Sequence, residues 1–237
     1  MDFVNALILL LNYIFVPALA YGSQLAIGAI FVTLIYGILR FANFATGDMM
    51  SFGTMVAILF TWYFQSLGLS LGFLPTALLA IPFAILFMGL YMLIIDKLVF
   101  KYYRSNKSPP VQLAMVSIGV MFVTQAVVRI IIGPSDRRFF DGEKFLIKAN
   151  EFKEMTGLNE GLAIKSTQVI TIVVTIILVS TLFWFLNKTK TGKSMRAYSD
   201  NEDLALLSGI DPKKIVMITW MIAAILATIG GVLYGLD

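Results

Sequence analysis

The chain has 237 residues, 59% hydrophobic and 14% charged, with a formal net charge of +4, whereas soluble domains run roughly 45–50% apolar and ~25% charged. With a mean hydropathy of +0.86, it is not an ordinary soluble domain. The absence of cysteine and histidine excludes disulfides, thiol nucleophiles, imidazole metal ligands and near-neutral imidazole proton transfer. The apolar runs are long, rich in Leu, Ile, Val and Phe, and do not alternate in polarity. They predict an all-α, polytopic transmembrane helical bundle and not a β-barrel. Nucleic acid is not an expected partner.

Residues 3–39 are apolar for longer than the roughly 20 residues one span needs, with Pro17 and Gly22 as punctuation. Two tightly joined spans or one long, bent helix fit this stretch. Asp2 in place of a basic start, and the lack of a clear cleavage site, argue against a signal peptide. Small residues at helical spacing (Gly22, Ala26, Ala29, Thr33, Gly37) predict a face that another helix approaches closely.

Arg40-Phe41-Ala42-Asn43-Phe44-Ala45-Thr46-Gly47-Asp48 then leads directly into an apolar run, 49–65. A carboxylate at membrane depth costs about 2.5–3.5 kcal/mol on the insertion scale, so Asp48 belongs near an interface or against a polar cavity. Asn43, Thr46 and Gly47 mark a break in helix. Two readings fit: a short turn with Asp48 as N-cap, or a discontinuous helix beside a polar route, where non-helical backbone is tolerated.

An uncharged turn, 66–73, precedes a span, 74–95. The following loop, 96–110, carries Lys97, Lys101, Arg104 and Lys107, which the positive-inside rule assigns to the cytoplasm. That assignment puts 66–73 outside and 40–48 toward the cytoplasm. Spans 111–132 and 167–186 carry the chain out and back. Between them, 133–166 nearly balances Arg137, Arg138, Lys144, Lys148, Lys153 and Lys165 against Asp136, Asp141, Glu143, Glu151, Glu154 and Glu160. It reads as an external loop with a short surface helix near 149–155, either a solvated cap or a landing place for a soluble partner. Nothing there supplies a nucleophile with a base, so no catalytic residues are expected.

The polar segment 187–214, with Lys188, Lys190, Lys193, Arg196, Lys213 and Lys214, returns to the cytoplasmic side. Within it, Ser199-Asp200-Asn201-Glu202 has capping-box spacing and predicts a short helix over 200–208. Gly209 supplies a left-handed stop, and Asp211-Pro212 reads as an N-cap followed by proline at the first helical position. Leu204, Ala205 and Leu207 give the short helix an apolar side. The last span, 215–235, contains Gly230-Gly231 and Gly235, which permit close helix contact.

Two stretches resemble the membrane permease subunits of branched-chain amino acid ABC transporters. Gly22-Ser23 through Tyr36-Gly37, with Asn43-Phe44-Ala45, Gly47-Asp48 and Gly53, is similar to that family's opening helix and its Asn-Phe-Ala-His-Gly-Glu segment. Gly192-Lys193-Ser194-Met195-Arg196-Ala197, Asn201-Glu202, Ala205, Gly209-Ile210 and Gly230-Gly231 are similar to the cytoplasmic loop that couples such permeases to their ATPase. The likeness extends along nearly the whole chain, and the basic loop ending in Ser108-Pro109 falls within it. Thr46 stands where the family usually has histidine, and Asp48 where it usually has glutamate, so the histidine's role does not carry over.

The resemblance implies one transmembrane permease domain over 1–237, with 133–166 external and 187–214 a cytoplasmic coupling loop, in a bacterial inner membrane. Its expected function is ATP-driven import of branched-chain or related amino acids. The expected partners are cytoplasmic ATPase subunits, a homologous or identical second permease subunit, a periplasmic substrate-binding protein and membrane lipid. No cofactor or metal is expected. ATP hydrolysis belongs to the partner, because no G-x-x-x-x-G-K-[ST] occurs in this chain. Arg196, Glu202, Leu204, Ala205, Leu207 and Gly209 are the expected ATPase contact, and Asn43, Thr46, Gly47 and Asp48 the expected substrate path. Such permeases continue with several further helices, so this chain is expected to be a front portion or to complete its path with other subunits. Alternative readings are a permease for urea or short amides, a stand-alone channel or carrier, a structural or assembly membrane protein, and an inactive truncated permease.

Overall fold

The computed structural model describes residues 2–69, 71–72, 74–135, 137–139, 145–156 and 160–236. It is a polytopic transmembrane helical bundle. By length and composition, five of its described helical stretches can cross a membrane: Phe3–Leu39, Ala77–Ser105, Pro110–Ile132, Ser166–Lys188 and Pro212–Leu236.

Helices α1 (Asp2–Leu10) and α2 (Val16–Leu39) are joined by a π turn, Leu11–Phe15, without a break. One rod, and not two joined spans, therefore accounts for the first apolar run. The widened turn lies just before Pro17, whose missing N–H would otherwise interrupt the ladder; the Val16 N–H reaches back to the Leu11 carbonyl. At 37 residues the rod is about 55 Å long, well beyond a hydrocarbon core of roughly 30 Å. At the two glycines of the expected small-residue face no close helix crossing forms: Gly22 and Gly37 have nothing within 4 Å of a built Cβ.

Helix α2 ends at Arg40 in the left-handed region (φ 57°), and six non-helical residues lead to α3 (Thr46–Ser66). α3 and α4 (Ala77–Ile95) form a hairpin around Gly68, at φ 74°. Helix continues beyond α4 through a second π turn, Asp96–Phe100, into α5 (Lys101–Ser105). The basic loop expected from residue 96 therefore begins only after Ser105. α6 (Pro110–Ile132) follows, ending at Gly133.

In the segment expected to be external, α7 (Ala149–Thr156) is the anticipated surface helix. A two-stranded antiparallel pairing of β1 (Phe145–Ile147) with β2 (Ile164–Lys165) was not foreseen. Asp136, Asp141, Glu143 and Lys144 lie outside the described residues. Helices α8 (Ser166–Lys188), α9 (Lys190–Asp200), α10 (Glu202–Leu207) and α11 (Pro212–Leu236) complete the chain.

α11 is the centre of the bundle. Buried residues make up 67% of its apolar window, against 11–33% for the other four spans. Its glycines set how close its neighbours come: a Cβ at Gly231 would run into the Thr54 hydroxyl and sit 2.8 Å from the Met50 carbonyl of α3, so only glycine fits this crossing. Phe52 of α3 stacks on Tyr91 of α4 at 4.1 Å, and the Tyr91 hydroxyl meets Thr124 of α6 at 2.7 Å. Several buried threonines bond to the preceding turn, as in Thr61 to Ala57 O (2.7 Å) and Thr219 to Ile215 O (2.8 Å).

Candidate functional site

The residues singled out in the sequence fall in two regions: the interruption between α2 and α3 with the cleft beside it, and the α9–α10 unit at the basic end of the bundle. Irregular backbone in a membrane must find partners in protein. Here they come from Ser117 of α6, whose Oγ accepts from the Phe44 N–H at 3.0 Å, and from Asn43, whose Oδ1 accepts from the Ala45 N–H at 3.1 Å. Phe41 anchors the segment by packing on Phe100 (5.0 Å between ring centroids), which in turn stacks on Trp220 (5.6 Å).

The interruption sets α3 beside a cleft of about 600 Å³ bounded by α3, α6 and α11. Of the four residues expected on a substrate path, Gly47 lines the cleft. Asn43 is buried, its oxygen closing the turn before α3 and its amide directed at Met49 Sδ (3.7 Å). Thr46 opens α3, and Asp48 stands in its first turn, half-buried and within electrostatic reach of Arg129. The α3 N-cap position is occupied by Ala45, so Asp48 does not cap the helix as the simpler reading required. Arg129 and Arg137 both line the cleft. Sequence reasoning passed over Arg129, although an arginine inside an apolar span is itself a signal of function.

At the basic end, Thr189 breaks α8 from α9 and caps α9, its hydroxyl accepting from the Gly192 N–H at 3.0 Å. The expected capping box does not form. Ser199 lies inside α9 and its hydroxyl donates to the Gly37 carbonyl of α2. The cap of α10 is Asn201, whose Oδ1 accepts from the Leu204 N–H at 3.0 Å. Glu202, expected to reach back to the cap, instead accepts from the Tyr198 hydroxyl at 2.8 Å. Burial first, and this carboxylate second, hold the Tyr198 hydroxyl well above the usual tyrosine range. Gly209 has φ +81° and provides the expected stop, with the Ile210 N–H returning to the Ala205 carbonyl at 3.0 Å. Asp211 starts α11 as anticipated, accepting from the Lys213 N–H at 2.9 Å.

Among the expected coupling residues, Leu204 is 61% and Leu207 84% exposed, whereas Ala205 is 2% exposed. Ala205 therefore seats α10 on the chain's own body and offers no outward surface. Arg196 donates to Asn187 Oδ1 at 3.0 Å. Two connections tie this end together. Arg40 donates to the Asp200 carbonyl at 2.8 Å and also to that of Ser199, satisfying carbonyls at the end of α9 with a cation. Asp96 pairs with Arg104 in a fork (2.7 and 3.0 Å) and accepts from Trp220 Nε1 at 2.7 Å. Asp96 and Trp220 were not anticipated.

A bundle of this kind, with an interrupted helix beside a cleft and a structured polar unit between two spans, defines a multi-pass membrane protein. The family model described as branched-chain amino acid transport system / permease component matches residues 14–237, and the chain belongs to this family. It is 27% identical over 218 residues to the high-affinity branched-chain amino acid transport system permease protein LivH of Escherichia coli (strain K12), covering 90% of this chain and 67% of that relative. It is 26% identical over 224 residues to the corresponding BraD protein of Pseudomonas aeruginosa, covering 94% and 70%. Similarity extends to a probable branched-chain amino acid transport permease protein LivH of Methanocaldococcus jannaschii, 26% over 221 residues, covering 90% and 63%. The match thus spans about two thirds of the relatives' length. No solved structure matches the chain.

Proposed function

We propose that the chain is the membrane-spanning permease subunit of an ATP-driven importer for branched-chain or related amino acids, with its basic end in the cytoplasm of a bacterial inner membrane. Cytoplasmic ATPase subunits drive it, a second permease subunit completes the path, and a periplasmic binding protein delivers substrate. The observation that carries this reading is α10. A helix of six residues is far too short to persist alone. Here Asn201, Gly209, the Tyr198–Glu202 bond and buried Ala205 hold it in place, while Leu204 and Leu207 stand in solvent. Apolar residues fixed outward on a rigid support suit a protein partner.

The connections around Arg40 support transmission. Movement of α9 pulls on Arg40, and Arg40 begins the non-helical segment that leads into α3, whose Gly47 lines the cleft. Closure of the ATPase subunits would bias one of two helix arrangements through this link. Leu204→Glu with Leu207→Glu tests the proposal in membranes containing all subunits. The expected result is loss of ATPase copurification and of ATP-dependent uptake, with the chain's own unfolding midpoint unchanged. A double variant that retains both the ATPase subunits and uptake refutes the assignment of α10.

A further inference from the structure

We propose that the cavity between α2, α8 and α9 binds an anionic phospholipid, its phosphate held by Arg196 and one acyl chain lying in the apolar slot between α2 and α8. The inference rests on the chain spanning a membrane, and not on what it transports.

The cavity holds about 230 Å³, less than the roughly 300–1,000 Å³ of sites that enclose a small molecule. It suits part of a ligand whose remainder lies in the bilayer. Ile30, Leu34, Leu182 and Leu186 give it apolar walls. Its hydroxyls are already spent within the chain: Thr33 donates to the Ile30 carbonyl at 3.1 Å, and Ser199 to the Gly37 carbonyl. Among the described residues Arg196 is the one charge in the lining. Asn187 takes one of its donors at 3.0 Å, and no described carboxylate pairs with it. Other donors of the guanidinium fork remain for a phosphate.

The slot lies where two spans end. α2 stops at Leu39 and α8 at Lys188. Tyr36 and Trp184, each 61% exposed, stand about one turn before those ends, and such rings settle at headgroup depth. Residues 187–200 carry Lys188, Lys190, Lys193 and Arg196 against a single acid, Asp200. A cluster of this sign beside a span attracts anionic headgroups, each cation adding to the attraction. A zwitterionic headgroup gains little from it, and a free phosphate leaves the apolar slot unfilled. Gly37 keeps the slot open, since a Cβ built there meets nothing within 4 Å. The bound lipid would touch α9 through Arg196 and α2 through the slot, the two helices that Arg40 joins. Occupancy therefore braces α9 against α2.

The test uses the full chain in detergent micelles, with native mass spectrometry counting the lipid retained. The probes are dioleoylphosphatidylglycerol, dioleoylphosphatidylcholine and glycerol 3-phosphate. Phosphatidylglycerol is expected to bind one per chain at concentrations where phosphatidylcholine does not, and glycerol 3-phosphate should not displace it. Arg196→Gln should raise the half-saturating phosphatidylglycerol concentration about tenfold or more, the worth of one charged hydrogen-bonding partner, with Arg196→Lys intermediate. Lys97→Gln, which removes an exposed cation outside the cavity, should change nothing. Gly37→Leu fills the slot and should weaken phosphatidylglycerol as well. The unfolding midpoint checks that each variant is folded, and the exposed position of Arg196 keeps the test valid if Gly37→Leu is not. Equal binding of phosphatidylcholine, or equal weakening by Lys97→Gln and Arg196→Gln, overturns the inference. Displacement by glycerol 3-phosphate also overturns it, by making the site one for a soluble phosphate. If Arg196→Gln releases the ATPase subunits in membranes while lipid binding is unchanged, the lipid site fails and the permease reading stands. If lipid binds as expected but the chain supports no ATP-dependent uptake, the permease reading fails and the lipid site stands.

Discussion

Asp96→Ala probes the junction that holds the α4–α5 rod to α11. The carboxylate accepts three hydrogen bonds: two from Arg104 at 2.7 and 3.0 Å, and one from Trp220 Nε1 at 2.7 Å. Trp220 is 0% exposed, so its N–H has no water to turn to, and stranding it costs about 1–3 kcal/mol. Arg104, with 21% of its side chain exposed, relaxes toward solvent and contributes only about 1 kcal/mol. The expected loss is about 2–4 kcal/mol. Trp220→Phe keeps a ring on Phe100 but deletes the donor, and Asp96 retains Arg104. In that background Asp96→Ala strands nothing, so the double variant should fall short of additivity by about 1–3 kcal/mol. Equilibrium unfolding in mixed micelles, driven by graded SDS and followed by helical ellipticity, measures all four proteins. An Asp96→Ala loss below about 0.5 kcal/mol, or additivity within about 0.5 kcal/mol, refutes this account of the junction.

The same titration distinguishes two glycines that look equivalent in sequence. Gly231→Ala should lower stability by about 1–3 kcal/mol, because its Cβ meets the Thr54 hydroxyl and the Met50 carbonyl. Gly37→Ala, with nothing within 4 Å, should be neutral or gain about 0.5–1 kcal/mol of helix preference; equal shifts would contradict the close crossing of α11 on α3. Hydrogen exchange at the Leu204 amide tests the cap of α10. Asn201→Ala should speed it about fivefold, for a cap of about 1 kcal/mol, whereas Ser199→Ala should not; the reverse result would restore the capping box.

Signals confined to a few consecutive residues read correctly. Gly209 needed φ > 0 and Asp211-Pro212 began a helix, because each depends only on backbone sterics and local hydrogen bonds; the break signalled by Asn43, Thr46 and Gly47 exists but falls at residues 40–45, with Thr46 and Gly47 already inside α3. Capping failed one position away for an instructive reason. Ser199 and Asn201 are both good caps, and sequence spacing favoured Ser199 because Glu202 stood in register. What decided against it was tertiary: the Ser199 hydroxyl found the Gly37 carbonyl, and the Glu202 carboxylate found Tyr198. Asn201 was left to serve the Leu204 N–H. Similarly, the basic residues after Ile95 do not end the helix, which runs on to Ser105 with Asp96 paired to Arg104 within the continuing rod.

The features that define the site were illegible because they join residues far apart in the chain. Arg40 meets Asp200 at a separation of 160 residues, Asp96 meets Trp220 at 124, and Phe44 meets Ser117 at 73. No periodicity encodes such pairs. Small-residue stripes show the limit most plainly. Gly22, Ala26, Ala29, Thr33 and Gly37 give the same pattern of permission as Gly230, Gly231 and Gly235, yet built Cβ atoms at Gly22 and Gly37 meet nothing while those at Gly230, Gly231 and Gly235 are crowded. A stripe states that close approach is sterically allowed; whether a partner arrives depends on what the other helices bury. α11 is drawn inward because Trp220, Ala223, Ala224 and Ala227, all 0% exposed, put its middle among α2, α3 and α4. Its glycines are pressed against Thr54 and Met50 as a result, at the edge of the cleft that holds Arg129.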